Sequence, residues 1–280
     1  MSYFQPAIPL SGYAGWRLLE KTSAKQMETF EKSPSLQRNI EYFRENISKA
    51  TSAEALVKDR RLLSVALGAF GLGDEIGKKA FVQKVLEGGT EDSSSLANKL
   101  SDARYKAFAK AFSYGDSTSV DLTDSNFVED IIARYKSREF ESAVGEVDDD
   151  MRIAMNFKRE IAGIASSNYA DRSGWYQVLG QAPVLELVRT AFGLPSSVSN
   201  LDVDKQKEIF EQKAQDLYGD KTVAAFLDSG NVEDMTRRFF LHRQIEKGPT
   251  ASTPGMAALT LLQNTALGGS SLTNLLLSQG

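Results

Sequence analysis

The stretch TSAEALVKDRRLLSVALGAFGL, residues 51–72, decides the fold class of this 280-residue chain. Thr51 and Glu54 have the spacing of a capping box, which predicts the start of a helix. Apolar side chains then recur at helical spacings of three, four and seven residues: Leu56, Leu63, Leu67 and Phe70. Gly71 followed by Leu72 is typical of a helix end of the Schellman type. The stretch therefore predicts a complete amphipathic helix with both of its ends.

The same periodicity recurs along most of the chain. It predicts further helices in residues 35–49, 74–87, 95–112, 124–143, 149–166, 180–192, 203–217, 221–228, 231–246 and 254–266. Asp74 stands where it is expected to cap the helix at 74–87. β-branched residues seldom alternate with polar ones over more than a few positions, so strand signals are nearly absent. The sequence predicts an all-α protein.

Two pairs of similar stretches occur in the same order. LLSVALGAFGL (62–72) is similar to VLELVRTAFGL (184–194), and VEDIIARY (128–135) is similar to VEDMTRRF (232–239). Helices commonly end in Gly followed by an apolar residue, so the first match alone has an ordinary explanation. Both matches together favour an internal duplication of one helical unit. The second unit is shorter, and KLSDARYKAFAKAFSYGD (99–116) is the candidate for the part that it lacks.

This organisation divides the chain into four segments. They are an N-terminal segment (1–22), uncharged before Arg17, a first helical unit (23–166), a second and shorter helical unit (176–247), and an uncharged apolar C-terminal segment (248–280). The boundary between the units is expected in SNYADRSGW, because turn-forming residues interrupt the helical periodicity there. The two units are expected to pack as one elongated helical body.

Composition argues against several classes of function. The net charge is −4 and the pI is about 5.3, so the chain has no basic field that would attract nucleic acid or an anionic membrane. It contains no cysteine, which excludes disulfides, thiolate metal sites and thiol nucleophiles. His242 is the one histidine, and its flanking residues FFLHRQIE suggest a packed or exposed side chain rather than a catalytic one. No cofactor is expected.

Two motifs that resemble ligand sites have simpler explanations. GLGDEIGKK (71–79) departs from a phosphate-binding loop because Leu72 and Lys79 stand where that motif needs Gly and Ser or Thr. In EVDDDMR (146–152) the three acidic residues 148–150 are consecutive, whereas a calcium loop spaces its ligands alternately. Acidic residues at this position favour the first turn of a helix.

The C-terminal segment is uncharged but not merely polar. Every Lys, Arg, Asp and Glu lies between Arg17 and Lys247. Beyond them come Met256, Leu259, Leu261, Leu262, Leu267, Leu272, Leu275, Leu276 and Leu277, too many apolar residues for a solvated tail. The residues expected to bind a partner, or to mediate self-association, are Leu261, Leu262, Leu275 and Leu276.

Three stretches resemble a known family. PLSGYAGWRLLEKT (9–22), DRRLLSVALGAFGL (59–72) and KLSDARYKAFAKAF (99–112) are similar to alphaproteobacterial proteins of uncharacterised function that are often encoded among flagellar genes. The resemblance implies a role in the flagellum and supplies no active site, cofactor or metal. It also implies flagellar or export proteins as partners. The long terminal heptad helices of flagellar axial subunits are absent from this sequence, which argues against a rod, hook or filament subunit.

The chain is therefore expected to be a non-enzymatic flagellum-associated protein that acts through protein–protein contacts in assembly, export or structure. With no apolar run long enough for a membrane span and no recognisable secretion signal, it is expected in the cytoplasm or exported through the flagellar secretion system. One alternative is a cytoplasmic chaperone or regulator of flagellar export. Another is a wall-modifying hydrolase that uses carboxylates, for which Glu129, Glu233 and residues 148–150 are the candidates.

Overall fold

The computed structural model describes residues 4–100 and 102–248, and these residues form helices and connecting loops without a β-strand. The α-helices are α1 (Gly12–Glu31), α2 (Pro34–Asn46), α3 (Ala53–Lys58), α4 (Arg60–Ala69), α5 (Lys79–Gly88), α6 (Leu96–Lys99), α7 (Ala103–Phe112), α8 (Ser125–Val147), α9 (Asp149–Ala165), α10 (Ala170–Leu179), α11 (Ala182–Ala191), α12 (Val203–Tyr218) and α13 (Ser229–Lys247). Short 3-10 helices cover Ile47–Lys49, Gly73–Gly77, Ser196–Asn200 and Val223–Leu227. The predicted all-α class is confirmed.

The stretch that predicts one helix forms two, α3 and α4. Asp59 lies between them in an extended conformation, and its carboxylate accepts the backbone N–H groups of Arg61 and Leu62 at 2.9 and 3.0 Å. An aspartate can thus end one helix and cap the next, because its side chain replaces the missing backbone acceptor. The predicted capping box is wrong by one residue, since Ser52 caps α3 by accepting the N–H of Ala55.

The predicted Schellman end is confirmed. Gly71 adopts a φ of +69°, and the N–H of Leu72 donates to the carbonyl of Leu67 at 2.8 Å while that of Gly71 donates to Gly68 at 3.0 Å. Leu72 then turns back into the core, where it is 2% exposed. The end of α4 is therefore fixed by both hydrogen bonds and apolar contact.

Other details also differ from the prediction: residues 95–112 form two helices, α6 and α7, residues 223–227 form a 3-10 helix, and α10 begins within SNYADRSGW at Ala170. Asp74 does not cap the following helix, because it lies in a 3-10 turn and α5 begins only after Lys78. The helix α1 is unpredicted, since its wholly buried apolar side chains are sparse and Ser11 provides no side-chain cap. Only Trp16, Leu19 and Phe30 of α1 are buried apolar side chains. The predicted helix at 254–266 lies outside the described residues.

The helix α9 occupies the middle of the structure. It packs against α8 on one side and against α10, α11 and α13 on the other. Its side chains Met151 and Phe157 are completely buried in a core cluster that also contains Trp16 and Trp175. α4 packs on α8, and α11 packs on α13. Residues of both predicted helical units thus contribute to one core, while the domain boundaries themselves stay predictions.

Candidate functional site

An open apolar groove begins between α1 and α9. On α1 the lining residues are Trp16, Leu19 and Ser23, which follow each other at spacings of three and four residues; Trp16 and Leu19 are 3% and 2% exposed and form the floor. Met155 and Lys158 of α9 form the opposite wall, and the volume of this part is about 410 Å³. This region leaves room for side chains of a bound segment.

The groove continues past Lys158 along the same helix. Ile161 of α9, Phe226 and Leu227 of the 3-10 helix, and Val232 of α13 line this second part, which has a volume of about 490 Å³. Leu227 is 62% exposed and so presents an apolar side chain at the surface beside this part. We call the two parts together the α9 groove.

The charges at the rim of the α9 groove are paired. The Lys158 ammonium donates to Glu20 at 2.5 Å and lies 5.7 Å from the centre of the Trp16 ring. Arg17 forms an ion pair with Glu233 nearby. Because each cation faces a carboxylate, the groove has little net charge with which to select a charged ligand. Its chemistry favours an apolar, uncharged segment.

A separate cavity of about 260 Å³ lies at the C-terminal end of α4, and four arginines line it: Arg104, Arg134, Arg138 and Arg159. Arg138 Nε donates to the carbonyl of Ala69 at 3.1 Å, and Arg104 donates to the carbonyl of Gly71. These carbonyls lie at a helix end, where they lack intrahelical partners and carry partial negative charge. Arg104 and Arg138 therefore act as caps on α4.

Carboxylates neutralise these arginines. Arg138 Nη2 lies 2.9 Å from Glu160, which also pairs with Arg159, and Arg159 Nη2 lies 2.9 Å from the buried Glu141. Arg104 is held by Asp102 at 2.7 Å. Burial lowers the pKa of Arg138, and the neighbouring charge of Arg159 adds to the shift. Because these charges balance, the cavity has no excess positive charge that would bind an anion. Its arginines instead stabilise the end of α4.

Two of the carboxylates proposed for a hydrolase are engaged in ion pairs. Glu129, exposed on α8, accepts two hydrogen bonds from Arg44 at 2.7 and 2.9 Å, and this contact lowers its pKa. Glu233 on α13 accepts the hydroxyl of Tyr13 at 3.0 Å and pairs with Arg17. Both carboxylates join different helices in the described structure.

The acidic run at 148–150 starts α9, as predicted. Asp148 caps the helix by accepting the N–H of Met151 at 3.2 Å, although burial raises the pKa of Asp148. Asp149 pairs with Arg152 within the first turn. Asp150 instead binds α13, with Arg243 at 3.1 Å and Lys247 at 2.5 Å. Across residues 4–100 and 102–248, no group of three His, Asp or Glu side chains is arranged to hold a metal ion.

The remaining candidates are His242 and the leucines. His242 is half-buried beside Gly193, and it makes no hydrogen bond to another residue of the described ranges. The expected partner-binding residues, Leu261, Leu262, Leu275 and Leu276, lie outside the described residues. In the described part of the chain, no helix combines the length and the apolar character required to span a bilayer.

Sequence reasoning does not find the α9 groove. Its walls come from α1, α9 and the connection before α13, so no local spacing joins them. One available signal is Leu227, a large apolar residue between Phe226 and Asp228 at the end of a predicted helix. Another is the aromatic and aliphatic face of α1 formed by Trp16 and Leu19, which the sparse periodicity of that helix conceals.

Fold and groove together define a class: an all-α protein with paired charges on its surface and an open apolar groove along its central helix. The chain belongs to a family described as a protein of unknown function (DUF1217), which matches residues 69–235. It is similar to protein AGR_C_984 from Agrobacterium tumefaciens, whose X-ray crystal structure superposes with a TM-score of 0.71 at 27% sequence identity. The match covers 87% of this chain and 100% of the other. No curated protein sequence matches significantly.

Proposed function

We propose that this chain is a non-enzymatic, flagellum-associated protein that acts through protein–protein contacts in flagellar assembly, export or structure. The proposed contact surface is the α9 groove, which is open and apolar along α9 and has Leu227, 62% exposed, beside it. Grooves of this kind bind the apolar face of a partner helix or extended segment. The flagellar context rests on the resemblance of the three sequence stretches at 9–22, 59–72 and 99–112.

The surroundings of the carboxylates support a role without catalysis. Glu129 and Glu233 each bind an arginine from another helix, and residues 148–150 cap and fasten α9. A hydrolase of the proposed kind needs one carboxyl group with a raised pKa near a second, ionised one, with both facing the substrate. The pKa of Glu129 is lowered instead, and Asp148, whose pKa burial raises, accepts a backbone N–H as the cap of α9.

Replacing Leu227 with Glu tests the proposal in the source bacterium. We expect a deletion strain to form small swimming rings in soft agar and the L227E gene to restore motility poorly, because a charge in the groove opposes apolar contact. The measurement is ring diameter, with protein levels followed by immunoblot. Leu227 is exposed, so the substitution leaves the core intact.

Leu201→Glu is the matched control, since Leu201 is an exposed leucine (41%) that does not line the groove. It is expected to restore full motility. A deletion strain that swims normally would contradict the flagellar role. Full rescue by L227E would contradict the role of the groove.

We also propose that the two helical units arose by duplication of one unit. Aligning the two AFGL sequences places α4 (Arg60–Ala69) on α11 (Ala182–Ala191) with both ends in register. Gly193 has a φ of +67°, and Leu194 N–H donates to Arg189 at 3.0 Å, so α11 ends with the same Schellman geometry as α4. Phe70 and Phe192, which correspond, are each 5% exposed.

The second pair of helices supports the same proposal. Aligning the two VED sequences places the first residue of α8, Ser125, on the first residue of α13, Ser229. Their caps, Asp124 and Asp228, each accept the N–H two residues ahead. This alignment also pairs Arg138 with His242. Each of these side chains lies against the glycine that ends the neighbouring helix, Arg138 against Gly71 and His242 against Gly193.

Under this proposal, the alignment also accounts for the shorter second unit. Between α5 and α8 the first unit contains α6 and α7, whereas between α12 and α13 the second unit contains only the 3-10 helix Val223–Leu227. The predicted missing part, residues 99–116, includes α7. Its replacement by a short 3-10 helix agrees with the shorter connection in the second unit.

Substitution of the two corresponding glycines tests their equivalence. Gly71→Ala and Gly193→Ala are each expected to lower the free energy of unfolding by about 1–2 kcal/mol, because Ala is strained at positive φ. The loss at Gly71 should be the larger, since a Cβ there would lie 2.5 Å from Arg138 Nη1, against 3.1 Å from His242 at Gly193. Urea denaturation followed by circular dichroism measures both values.

Gly73→Ala is the control for these substitutions. Gly73 does not have a positive φ, and a Cβ added to it meets no atom within 4 Å. Its replacement is expected to change the free energy of unfolding by less than about 0.5 kcal/mol. If either Gly71→Ala or Gly193→Ala behaves like this control, the two helix ends are not equivalent.

A further inference from the structure

The described part of the chain ends beside α9. Lys247, the last residue of α13, binds Asp150 in the first turn of α9 at 2.5 Å. Gly248 follows with a φ of +67°, and its N–H donates to Ile245, so the helix stops there. Gly248, the last described residue, therefore follows directly on a residue that is bound to the N-terminal end of α9.

The α9 groove is within easy reach of that point. From Asp150 to Met155, the first groove residue on α9, the distance along the helix is about 8 Å at a rise of 1.5 Å per residue. An extended chain covers up to about 3.3 Å per residue, so a few residues bridge this gap. The leucines from position 259 onward lie far enough along the chain to enter the groove.

The chemistry of the C-terminal segment matches that of the groove. Residues 249–280 contain no charged side chain and nine large apolar ones: Met256, Leu259, Leu261, Leu262, Leu267, Leu272, Leu275, Leu276 and Leu277. The groove offers apolar walls, and its rim charges Lys158 and Arg17 are already paired with Glu20 and Glu233. An uncharged apolar occupant buries surface on both sides without separating an ion pair.

We infer that the C-terminal segment of the same chain occupies the α9 groove. An attached segment meets its own groove at an effective concentration of about millimolar, which favours this intramolecular contact over binding to a second copy in dilute solution. The inference rests on the proposed function in one respect, namely that a partner is proposed to bind the same groove.

Disulfide cross-linking in the full chain tests this inference. The sequence contains no native cysteine, so only the introduced cysteines can form a disulfide. One variant combines Ser23→Cys, in the groove wall, with Leu262→Cys. The control combines Ser125→Cys, exposed at the start of α8, with the same Leu262→Cys. Under mild oxidation at micromolar protein, the groove pair is expected to form an intramolecular disulfide about tenfold faster than the control pair. Non-reducing gels and peptide mass spectrometry measure the products.

A third variant separates specific docking from mere tethering. Adding Leu261→Ser, Leu275→Ser and Leu276→Ser to the groove pair should slow its cross-linking to the rate of the control pair, because the apolar contacts are lost. Equal rates for the groove and control pairs would overturn the inference. So would a disulfide that forms only between chains, or a rate that the three Ser substitutions leave unchanged.

The cross-linking and motility experiments can reject the docked segment and the proposed function independently of each other. Fast intramolecular cross-linking together with full motility of L227E would keep the docked segment and reject the groove as the flagellar contact. Poor motility of L227E with no preference for the groove pair would keep the proposed function and reject the docked segment.

Discussion

Replacing Trp175 with Ala is expected to lower the free energy of unfolding by about 3–5 kcal/mol, the cost of a large cavity in a packed core. Trp175 is 2% exposed and contacts the rings of Phe192, Phe210 and Phe226 at centroid distances of 6.2, 5.7 and 6.2 Å. Its indole N–H donates to the carbonyl of Lys221 at 2.8 Å. Truncation removes this hydrogen bond together with the aromatic contacts.

Urea denaturation followed by circular dichroism and by fluorescence provides the measurement. The chain has two tryptophans, so fluorescence of the Trp175 variants reports Trp16 alone. Trp16 belongs to the same core cluster, and we expect both signals to change in one transition at a lower urea concentration. Trp175→Phe keeps a ring but loses the donor, and it should cost about 1–2 kcal/mol.

Two results would contradict this prediction. A Trp175→Ala variant as stable as Trp175→Phe would mean that the aromatic cluster contributes little to stability. A Trp16 transition unchanged from the wild-type midpoint, with an earlier transition in circular dichroism, would mean that the two predicted units unfold independently. The second result would also support the proposed domain boundary at SNYADRSGW.

Replacing Arg138 with Ala is expected to lower the free energy of unfolding by about 2–4 kcal/mol. The side chain is 18% exposed, donates to the carbonyl of Ala69 at 3.1 Å and pairs with Glu160 at 2.9 Å. Its loss leaves a carbonyl at the end of α4 without its donor and weakens the neutralisation of Glu160. Chemical denaturation measures the effect.

Arg134→Ala is the matched control, one turn earlier on α8 and facing the same cavity. The Arg134 side chain is 52% exposed, and its ion pair with Asp130 joins neighbouring turns of one helix. Pairs of this kind contribute about 0.3–0.5 kcal/mol, so a loss below about 1 kcal/mol is expected. Similar losses in the two variants would show that Arg138 is an ordinary surface arginine and not a clamp on α4.

The candidate site was less predictable from sequence than the fold. The acidic run 148–150 could be assigned to a helix start because a first-turn carboxylate acts on nearby backbone N–H groups. The α9 groove could not be assigned, because Trp16 and Leu227 are brought to one surface only by the packing of α1 on α13 and of the 3-10 helix Val223–Leu227 on α9. The roles of Glu129 and Glu233 also depended on distant partners, Arg44 and Arg17, which no spacing indicates.

The sequence by itself determined the all-α class, most helix positions and the Schellman end at Gly71, because periodicity and helix-end chemistry act over a few residues. It also placed every charged residue between Arg17 and Lys247. Tertiary structure alone decided that α1 exists and that α9 has an open face. These features depend on which surfaces meet, since sparse apolar residues stabilise a helix only when neighbouring helices cover them.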